Sequence, residues 1–577
     1  MPRARSFRIS PSLALATAVL LPSACANTHA DGADTQLPAP VVEAPKPAFE
    51  NPGGMWMPTQ IGAHAEALKH AGLELDPSVL TDPTSFPLGA IVSLGGCSAS
   101  FVSNEGLIVT NHHCVGRYLQ SNSTPESNLL ENGFLANTRA EEKSGGPRAR
   151  VFVTQAFTDV TDKVLGGLDK VTDDKERYKT IAERRKQLIN TCEQDRPDTR
   201  CLVSSFFEGA QFFQIEQLEI RDVRLVYAPH PGIGVYGGEI DNWRWPRHTG
   251  DFSFLRAYVG KDGKPADFAA DNIPYTPPHH LKVASEKTKA GDFVMVAGYP
   301  GRTTRLKTAG EVREAADWTY NYRIQMFEEY IAVLKQLSEL DPELKIKAAG
   351  RLRGLSNYYT NFKGMRDGLN QGGLASEKEK LEAELQAWIN ADEARKAKYG
   401  DVLAKIGELN AQRKQTRESD AAFSGILRGS SLLGTALDLL KWADQREKPD
   451  AERKRGYQEK DVADDVVAYE SMQKTYDPRL DRAVFKLFLT RAAKLPEDKR
   501  PSILAAVVGK TVDEAAIDRA LDRLYKKTKL GDPKVRVKLL KSASNKTLAR
   551  SRDPFIKLAL AIKADVDAMN ARDEAFA

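Results

Sequence analysis

Apolar residues in the first half of the chain come in short runs that end at turn residues. The runs lie at residues 90–94, 151–153, 212–215, 223–227, 252–259 and 293–297. Short runs bounded by turns are typical of antiparallel strands that close into a barrel. One highly charged segment, residues 174–190, interrupts them and is predicted to form a helix.

A different pattern begins after Gly301, where apolar residues recur at helical spacing within charged sequence. One stripe that steps by four consists of Trp318, Tyr322, Met326, Tyr330 and Leu334. Further segments of this kind are residues 377–398, 438–446 and 553–569. Such spacing places the apolar side chains on one face of a helix. We expect these stripes to form a core and the charged faces to be solvated.

The two patterns predict an α+β multidomain protein. Residues 51–301 are predicted to form an antiparallel β-barrel domain, and residues 302–577 a large all-helical domain. A chain of 577 residues is long enough for two or three domains with a sizeable core.

The amino terminus has the pattern of a secretory signal. Three arginines precede an apolar stretch at residues 13–21, and Ala24-Cys25-Ala26 forms a small-x-small cleavage site. Residues 1–26 are therefore predicted to be a signal peptide. Residues 27–50, which are rich in alanine and proline, are predicted to be a linker. A periplasmic or secreted location follows from this interpretation.

Cys25 raises an alternative, because a cysteine at this position is the anchor of a lipoprotein. The residue three positions before it is Pro22, where a lipobox has leucine. The motif therefore favours cleavage without lipidation, and anchoring through Cys25 stays open as the second possibility.

Composition narrows the function classes. Lys and Arg together number 83 against 78 for Asp and Glu, a net charge of +5. With no long basic block, this balance gives no support for nucleic-acid binding. Beyond the amino terminus no apolar run is long enough to span a bilayer. The sequence has no P-loop and no strand followed by GxGxxG, so no cofactor is predicted.

The first stretch with candidate catalytic residues is a predicted hairpin over residues 95–114. Cys97 opens its first apolar run, and His113-Cys114 closes the second. Paired cysteines would fix the backbone beside His113, and a rigidly held histidine suits general-base catalysis. A structural hairpin with an incidental histidine is the alternative.

Four cysteines remain after Cys25, and four allow three pairings. Nearest-neighbour pairing joins Cys97 to Cys114 and Cys192 to Cys201, and an oxidising compartment would preserve both bonds. A metal site is disfavoured, because the sequence has no CxxC or HExxH and the adjacent His112 and His113 are poorly placed to share one ion.

The second dense stretch is residues 237–252, where two tryptophans stand among Asp, Glu, Arg and His residues between glycines. It fits neither a strand nor a helix and indicates an ordered loop that displays polar groups. Asp251 directly precedes the next predicted strand and has the chemistry to orient a histidine. The alternative is a surface loop whose tryptophans pack on the barrel.

These two motifs together resemble one known family. Thr110-Asn111-His112-His113-Cys114 and residues 242–251 are similar to the bacterial serine-type dipeptidyl-peptidases, which include dipeptidyl aminopeptidase BII and dipeptidyl-peptidases 7 and 11. The resemblance extends from Met55-Trp56 to the last residue. It implies a chymotrypsin-like double β-barrel with a large helical cap domain, and a secreted serine exopeptidase that releases dipeptides from the free amino terminus of oligopeptides.

The resemblance also implies residue roles. His113 would be the general base and Asp251 its orienting acid. Asn242 and Trp243 would hold the free amino terminus of the substrate, together with Asn357 of the helical domain. A cap over the cleft would exclude longer chains on the amino-terminal side. Family members tend to form homodimers, so a homodimer is possible here.

One family feature is missing. The nucleophile stretch Gly-Asn-Ser-Gly-Ser-Pro does not occur, and the Gly-flanked serines at residues 429–434 are predicted to form a turn between helices. We therefore expect that these residues do not include the second barrel. On the family plan, that barrel carries the serine, the oxyanion hole, an acidic group for the substrate amine and the pocket for the second substrate residue. The chain would then be either an incomplete part of a working peptidase or a catalytically inactive, truncated periplasmic peptide-binding protein. A helical adaptor is a third alternative, which leaves both motifs unexplained.

Overall fold

Eleven strands, all paired antiparallel, form one sheet in the computed structural model, which describes residues 55–301 and 306–576. The strands are β1 (Ile91–Ser93), β2 (Ser98–Phe101), β3 (Leu107–Thr110), β4 (Phe134–Leu135), β5 (Lys143–Ser144), β6 (Val151–Asp159), β7 (Thr199–Phe206), β8 (Gln211–Ile220), β9 (Asp222–Ala228), β10 (Ser253–Val259) and β11 (Ile273–Pro274). Their order in the sheet is β4-β9-β10-β3-β2-β1-β6-β8-β7, with β11 beside β10 and β5 beside β9.

Alternating burial explains why these segments are strands. In β3 the side chains of Ile108 and Thr110 are buried while those between them are partly exposed, and β10 buries Ser253, Leu255 and Ala257 in the same way. Side chains that point to opposite faces give this period of two. The buried face joins Val92, Phe101, Ile108, Leu225 and Leu255 in one apolar core.

Helices are few and short in the sheet region, apart from α6. They are α1 (Pro58–Ile61), α2 (Ala65–His70), α3 (Gly116–Ser121), α4 (Leu129–Asn132), α5 (Thr161–Leu165), α6 (Asp174–Glu193), α7 (Pro231–Gly234) and α8 (Gly238–Asn242). α6 covers the charged segment for which the sequence predicts a helix.

The described residues after 305 form α-helices joined by turns and short 3₁₀ or π segments. The helices are α9 (Ala309–Glu314), α10 (Tyr320–Ser338), α11 (Pro342–Gln371), α12 (Leu374–Asn390), α13 (Glu393–Tyr399), α14 (Val402–Gly429), α15 (Ser431–Arg446), α16 (Val462–Ser471), α17 (Pro478–Ala493), α18 (Ser502–Val508), α19 (Glu514–Lys527), α20 (Pro533–Ser542), α21 (Asn545–Ala549) and α22 (Pro554–Phe576). The antiparallel sheet and the large helical region predicted from the sequence are both present. Both lie in one compact unit.

The helical region has a core of its own, in which Ile426, Trp442, Phe485 and Phe555 are fully buried. The Gly-flanked serines lie where α14 meets α15, so the predicted turn between helices is confirmed. Ser430 is the N-cap of α15 and accepts a hydrogen bond from the backbone N–H of Leu433. Such a cap satisfies a helix donor that would otherwise lack a partner.

Helix α11 connects the helical region to the sheet region. Gln120 of α3 donates its side-chain amide to the carbonyl oxygen of Ile346 at 2.7 Å and to that of Lys347 at 3.2 Å. Lys345 pairs with Glu131 of α4 at 2.5 Å. These contacts fix the first half of α11 against the turn that follows the central hairpin.

Some expected elements differ in the structure. Residues 293–297 form no strand, because a strand needs a neighbour for its backbone groups and none pairs with this segment within the described residues. Val296 is 97% exposed as a result. The predicted helix over residues 377–398 is divided between α12 and α13, since Asp392 caps a new helix start by accepting from the N–H of Arg395.

Several predictions fall outside the described residues. The predicted signal peptide at 1–26, with Cys25, and the predicted linker at 27–50 lie there. The predicted start of the helical domain at residue 302 also lies there. Within residues 55–301 and 306–576, none of the helices combines the length and the apolar character that a bilayer crossing needs.

Candidate active site

The register of three strands brings the two sequence motifs together. β2 and β3 form the central hairpin, in which Ala99 lies opposite Thr110. On its other side, β3 pairs with β10, and Thr110 lies opposite Ser253. His113 follows the end of β3 and Asp251 precedes the start of β10. Antiparallel pairing therefore places the two side chains at the same end of the sheet.

A disulfide secures this end of the hairpin. Cys97 bonds to Cys114, with their Cα atoms 6.2 Å apart, and so ties the residue before β2 to the 3₁₀ turn His112–Val115 after β3. His113 lies within that turn, so its backbone is fixed from both sides. The second disulfide joins Cys192 of α6 to Cys201 of β7, away from the histidine. Both bonds follow the nearest-neighbour pairing.

Asp251 holds His113 by two contacts. Its Oδ2 lies 2.9 Å from the ring Nδ1, and its Oδ1 accepts the backbone N–H of His113 at 3.0 Å. The side chain of Asp251 is only 7% exposed, whereas that of His113 is 54% exposed. The pair thus combines a covered carboxylate with an imidazole that faces open space.

The protonation of this pair follows from its hydrogen bonds. Burial raises the pKa of Asp251, but the hydrogen bonds and charge of His113, with a contribution from Arg247, lower the pKa to about 2. An ionised carboxylate can only accept, so Nδ1 of His113 carries the proton. Nε2 of the neutral ring then keeps its lone pair, which is the state of a general base.

A chain of hydrogen bonds leads from Asp251 to the helical region. The guanidinium of Arg247 donates to Oδ2 of Asp251 at 2.9 Å and to Oδ1 of Asn242 at 3.0 Å. The amide of Asn242 in turn donates to Oδ1 of Asn357 on α11 at 2.8 Å. The structure thus brings together His113 of the first motif, Asp251 and Asn242 of the second, and Asn357, which the family resemblance indicated.

The tryptophans of the second motif do not pack as core residues. Trp243 directly follows the short helix α8 and is half exposed, and Trp245 is 93% exposed. This differs from the alternative in which both rings pack on the sheet. Trp243 adjoins Asn242 in the chain and presents an open aromatic surface at the same site.

Several residues at this site were given no individual role by the sequence. Glu239 approaches the amide of Asn242 at 3.4 Å, and Arg247 bridges Asn242 and Asp251. Arg353, on α11, lies over Gly116 so closely that a Cβ at Gly116 would come within 2.3 Å of its Nη1. Arg353 and Asn357 are four residues apart on one helix. This spacing could have indicated that the two side chains lie on the same face.

His112 differs sharply from its neighbour. It is fully buried, with Nδ1 3.5 Å from the hydroxyl of Ser253, and its ring lies against Gly234, where a Cβ would come within 2.7 Å. Burial, together with the charge of Arg353, lowers the pKa of His112 to about 4. His112 is therefore a neutral packing residue at neutral pH.

Potential metal-ligand atoms of Cys97, His113 and Cys114 lie within 4.8 Å of one another. Both cysteines are joined in the disulfide, and thiolate is the form in which cysteine binds a metal. This cluster therefore lacks its sulfur ligands while the bond is intact.

Comparison with known proteins shows the family of this chain. The family model Peptidase S46 matches residues 52–577. The Asp/Glu-specific dipeptidyl-peptidase of Shewanella putrefaciens is 39% identical over 509 residues, which are 88% of this chain and 68% of that protein. Dipeptidyl-peptidase 7 of Porphyromonas gingivalis is 30% identical over 531 residues, or 90% of this chain and 71% of that protein.

The fold is similar to that of a solved peptidase. The crystal structure of Porphyromonas endodontalis DPP11 in complex with the dipeptide Arg-Glu matches with a TM-score of 0.74 and 27% identity, over 91% of this chain and 75% of that chain. An antiparallel sheet with a large helical region is thus the architecture of a dipeptidyl-peptidase. The chain belongs to the peptidase S46 family, whose matched members are serine-type dipeptidyl-peptidases.

The match leaves part of each relative uncovered. The chain spans 68% of the Shewanella protein and 62% of the Asp/Glu-specific dipeptidyl-peptidase of Capnocytophaga gingivalis, to which it is 31% identical.

Proposed function

We propose that this chain provides the general base and the amino-terminal binding site of a secreted serine exopeptidase that releases dipeptides from oligopeptides. The observation that carries the proposal is the continuous connection from His113 through Asp251, Arg247 and Asn242 to Asn357. It joins a histidine poised as a base to two amides that can bind an amine.

His113 would take the proton of a serine hydroxyl through Nε2 and return it to the leaving amine. Asp251 keeps the proton on Nδ1 and stabilises the imidazolium that forms. Asn242, Asn357 and Trp243 would hold the substrate's free amino terminus. Because that terminus is anchored beside the base, the scissile bond lies at a fixed distance from it, and dipeptides are released.

The nucleophile is proposed to come from outside residues 1–577. No Gly-Asn-Ser-Gly-Ser-Pro stretch occurs in the sequence, and the chain spans only 68% of the Shewanella relative. In this proposal the sheet is the first barrel of a chymotrypsin-like pair, and the second barrel brings the serine and the oxyanion hole. Secretion is supported by the pattern of residues 1–26 and by the two disulfides.

Acidic second residues are the first substrates to test. The Shewanella and Capnocytophaga relatives are named Asp/Glu-specific dipeptidyl-peptidases. The DPP11 structures contain the dipeptides Arg-Glu and Arg-Asp. We therefore choose dipeptidyl reporters with Asp or Glu in the second position.

The decisive experiment replaces His113 in a form of the protein that hydrolyses the dipeptidyl reporter. His113→Ala should abolish release of the reporter group while circular dichroism and the melting temperature stay unchanged. The control is His248→Ala, which removes an exposed histidine from the loop before β10. Full activity of His113→Ala would refute the proposal. Peptide binding without hydrolysis by the unmodified protein would support the inactive peptide-binding protein instead.

A further inference from the structure

Positive charge is concentrated in one part of the helical region. Residues 523–553 contain eleven Lys and Arg residues against two Asp residues, a net charge of +9. Since the whole chain carries only +5, the rest of it is net negative. Apolar residues and turns separate the cations, so no three of them are consecutive. Such an uneven distribution of charge indicates a negatively charged partner.

The Lys and Arg side chains of this stretch are exposed, apart from Arg536, which is fully buried and donates to backbone carbonyls. Among the described residues, no carboxylate oxygen lies within 4.0 Å of the exposed ones. Elsewhere in the helical region cations are commonly paired, as Lys486 is with Glu514 and Asp518. We define the basic surface as the ten exposed residues Arg523, Lys526, Lys527, Lys529, Lys534, Lys538, Lys541, Lys546, Arg550 and Arg552.

Tertiary contacts bring the parts of the basic surface together. Asp553 accepts from the backbone N–H of Lys529 at 2.7 Å, so the turn after α19 lies beside the residues that precede α22. Asp532, the other aspartate of the stretch, caps α20 by accepting from the N–H of Lys534. Helices α20 and α21 both pack on α15, and α19 and α21 both pack on α22. The ten cations therefore belong to one group of packed helices.

Part of the basic surface lies along a groove between α16 and α20. The α20 wall of this groove consists of Pro533, Lys534, Val537, Lys538 and Lys541. Spacings of four and three residues place the three lysines on one face of the helix. The other wall contributes one carboxylate, that of Glu470. The groove thus combines an excess of positive charge with a narrow apolar strip.

The composition of the basic surface fits an anionic lipid bilayer better than another polyanion. Seven of the ten cations are Lys, which binds phosphate as a point charge, without the planar fork that Arg uses in specific recognition. The charges extend over three helices and their turns, as contact with a broad planar surface requires. The one aromatic ring of the stretch, Tyr525, donates its hydroxyl to buried Asp481 and provides no platform on which a nucleic-acid base could stack.

We propose that the basic surface binds the anionic headgroups of a lipid bilayer and so holds the protein at a membrane surface. The lysines contact headgroup phosphates, and the helices that carry them stay outside the hydrocarbon. The inference goes beyond the proposed function and does not depend on it. It assigns a second role to the helical region, whose other role is to contribute Asn357 to the candidate active site.

Co-sedimentation with lipid vesicles tests this role. Vesicles of phosphatidylcholine are compared with vesicles that also contain about 30 mol% phosphatidylglycerol. Residues 27–577 are used, because the predicted signal peptide and Cys25 could bind a bilayer by themselves, and this form keeps the compact unit that starts at Gly53. We expect binding to the anionic vesicles alone. Binding should weaken steeply as the salt concentration rises, because salt screens exposed charges.

Two triple variants locate the binding. Replacing Lys534, Lys538 and Lys541 by Gln should lower the partition coefficient about a hundredfold, since each lysine near such a surface contributes roughly a factor of five. Replacing Lys526, Lys527 and Lys529 by Gln should have a similar effect, because it removes three charges from the same surface. Melting temperatures should stay unchanged, because none of the six side chains has an ionic partner among the described residues.

The matched control removes three charges from another part of the helical region. Lys335, Lys380 and Lys398 are exposed residues of α10, α12 and α13, and all three are replaced by Gln. The net charge changes as in the other variants, but the basic surface is intact. The partition coefficient should therefore fall by less than about threefold.

Three results would overturn the inference. One is absence of binding to anionic vesicles at low salt. Another is an equal loss in the control and in the variants of the basic surface, since net charge would then explain the binding. The third is tighter binding to heparin or duplex DNA than to the vesicles, which would assign the surface to a different polyanion. The reporter assay of His113→Ala is independent of all three, so a failure here is distinguishable from a failure of the proposed function.

Discussion

The carboxylate of Asp251 holds both the ring and the backbone of His113. One oxygen lies 2.9 Å from Nδ1 and the other 3.0 Å from the backbone nitrogen, so ring orientation and loop position are fixed by one side chain. Because the carboxylate also accepts from Arg247, the base is coupled to the proposed substrate-binding asparagines. The consequences of this arrangement can be measured.

The first prediction concerns Asp251→Asn. An amide can donate to Nδ1 of His113 and favours the tautomer in which Nε2 carries the proton, so the base is lost although the contact is kept. We expect kcat to fall by about three to four orders of magnitude. Reporter hydrolysis by an active form of the protein measures this.

Asp271→Asn provides the control, since it removes a carboxylate from an exposed ion pair with Lys261. Asp271→Asn should leave reporter hydrolysis unchanged. A loss of less than about tenfold in Asp251→Asn would contradict the proposed role of this residue.

The second prediction concerns the pH dependence of stability. The pKa of His112 is about 4 in the folded chain, compared with an ordinary value of 6.5. Between these values the unfolded chain binds more protons, so the free energy of unfolding falls as the pH falls. The full contribution is present above pH 6.5, and on the order of 3 kcal/mol is lost by pH 4.

Denaturant unfolding at several pH values measures this loss in the unmodified chain and in His112→Gln. The variant should show a flatter dependence between pH 6.5 and 4, because its side chain does not titrate. Arg353, Asp251 and His113 surround the ring and remain in both proteins. The same slope in both would refute the assignment to His112.

The third prediction uses two glycines one turn apart on α11. A Cβ at Gly350 would lie 2.8 Å from Oε1 of Gln120, whereas a Cβ at Gly354 would meet nothing within 4 Å. Gly350→Ala should therefore displace the end of the Gln120 side chain and weaken its contact with α11, which offsets the helix-forming gain of alanine. Gly354→Ala should raise the free energy of unfolding by up to about 1 kcal/mol, since alanine is the better helix former. Equal effects of both would show that Gln120 does not position α11.

The fourth prediction compares the two disulfides. They close loops with sequence separations of 17 and 9 residues, so removing either should cost on the order of 3 kcal/mol of stability. Replacing Cys97 and Cys114 by serine should also reduce kcat, because it releases the turn that carries His113. Replacing Cys192 and Cys201 should leave kcat unchanged at a temperature where both variants are folded. Loss of activity in the second variant alone would contradict this view of the site.

Local pattern was sufficient for much of the fold. The period-two runs correspond to strands and the period-four stripes to helices, because burial on one face imposes those periods on the sequence. The failures have local causes too. Residues 293–297 have a strand's composition but no partner among the described residues, and Asp392 caps the start of a new helix where periodicity alone would continue the previous one.

The site was predictable only where a motif marked it. His113 and Asp251 stand in dense, unusual stretches, and Asn242 and Trp243 belong to the second of these. Asn357 was indicated by resemblance and not by its surroundings. Glu239 and Arg247 lie in the second stretch too, but neither it nor the sequence around Arg353 gives them individual roles, since charged residues are common on solvated surfaces and only their neighbours in space give them a role.

The sequence by itself determined the hairpin, the helical stripes and the family, because these depend on residues that are close together in the chain. The tertiary structure decided which side chains meet. Thr110 and Ser253 lie opposite each other through strand register, and Asn242 and Asn357 meet across a separation of 115 residues. Pairings of this kind arise from the packing of whole elements, which no periodicity in the sequence specifies. The tertiary structure therefore turns a disulfide-bonded histidine into one end of a continuous polar connection.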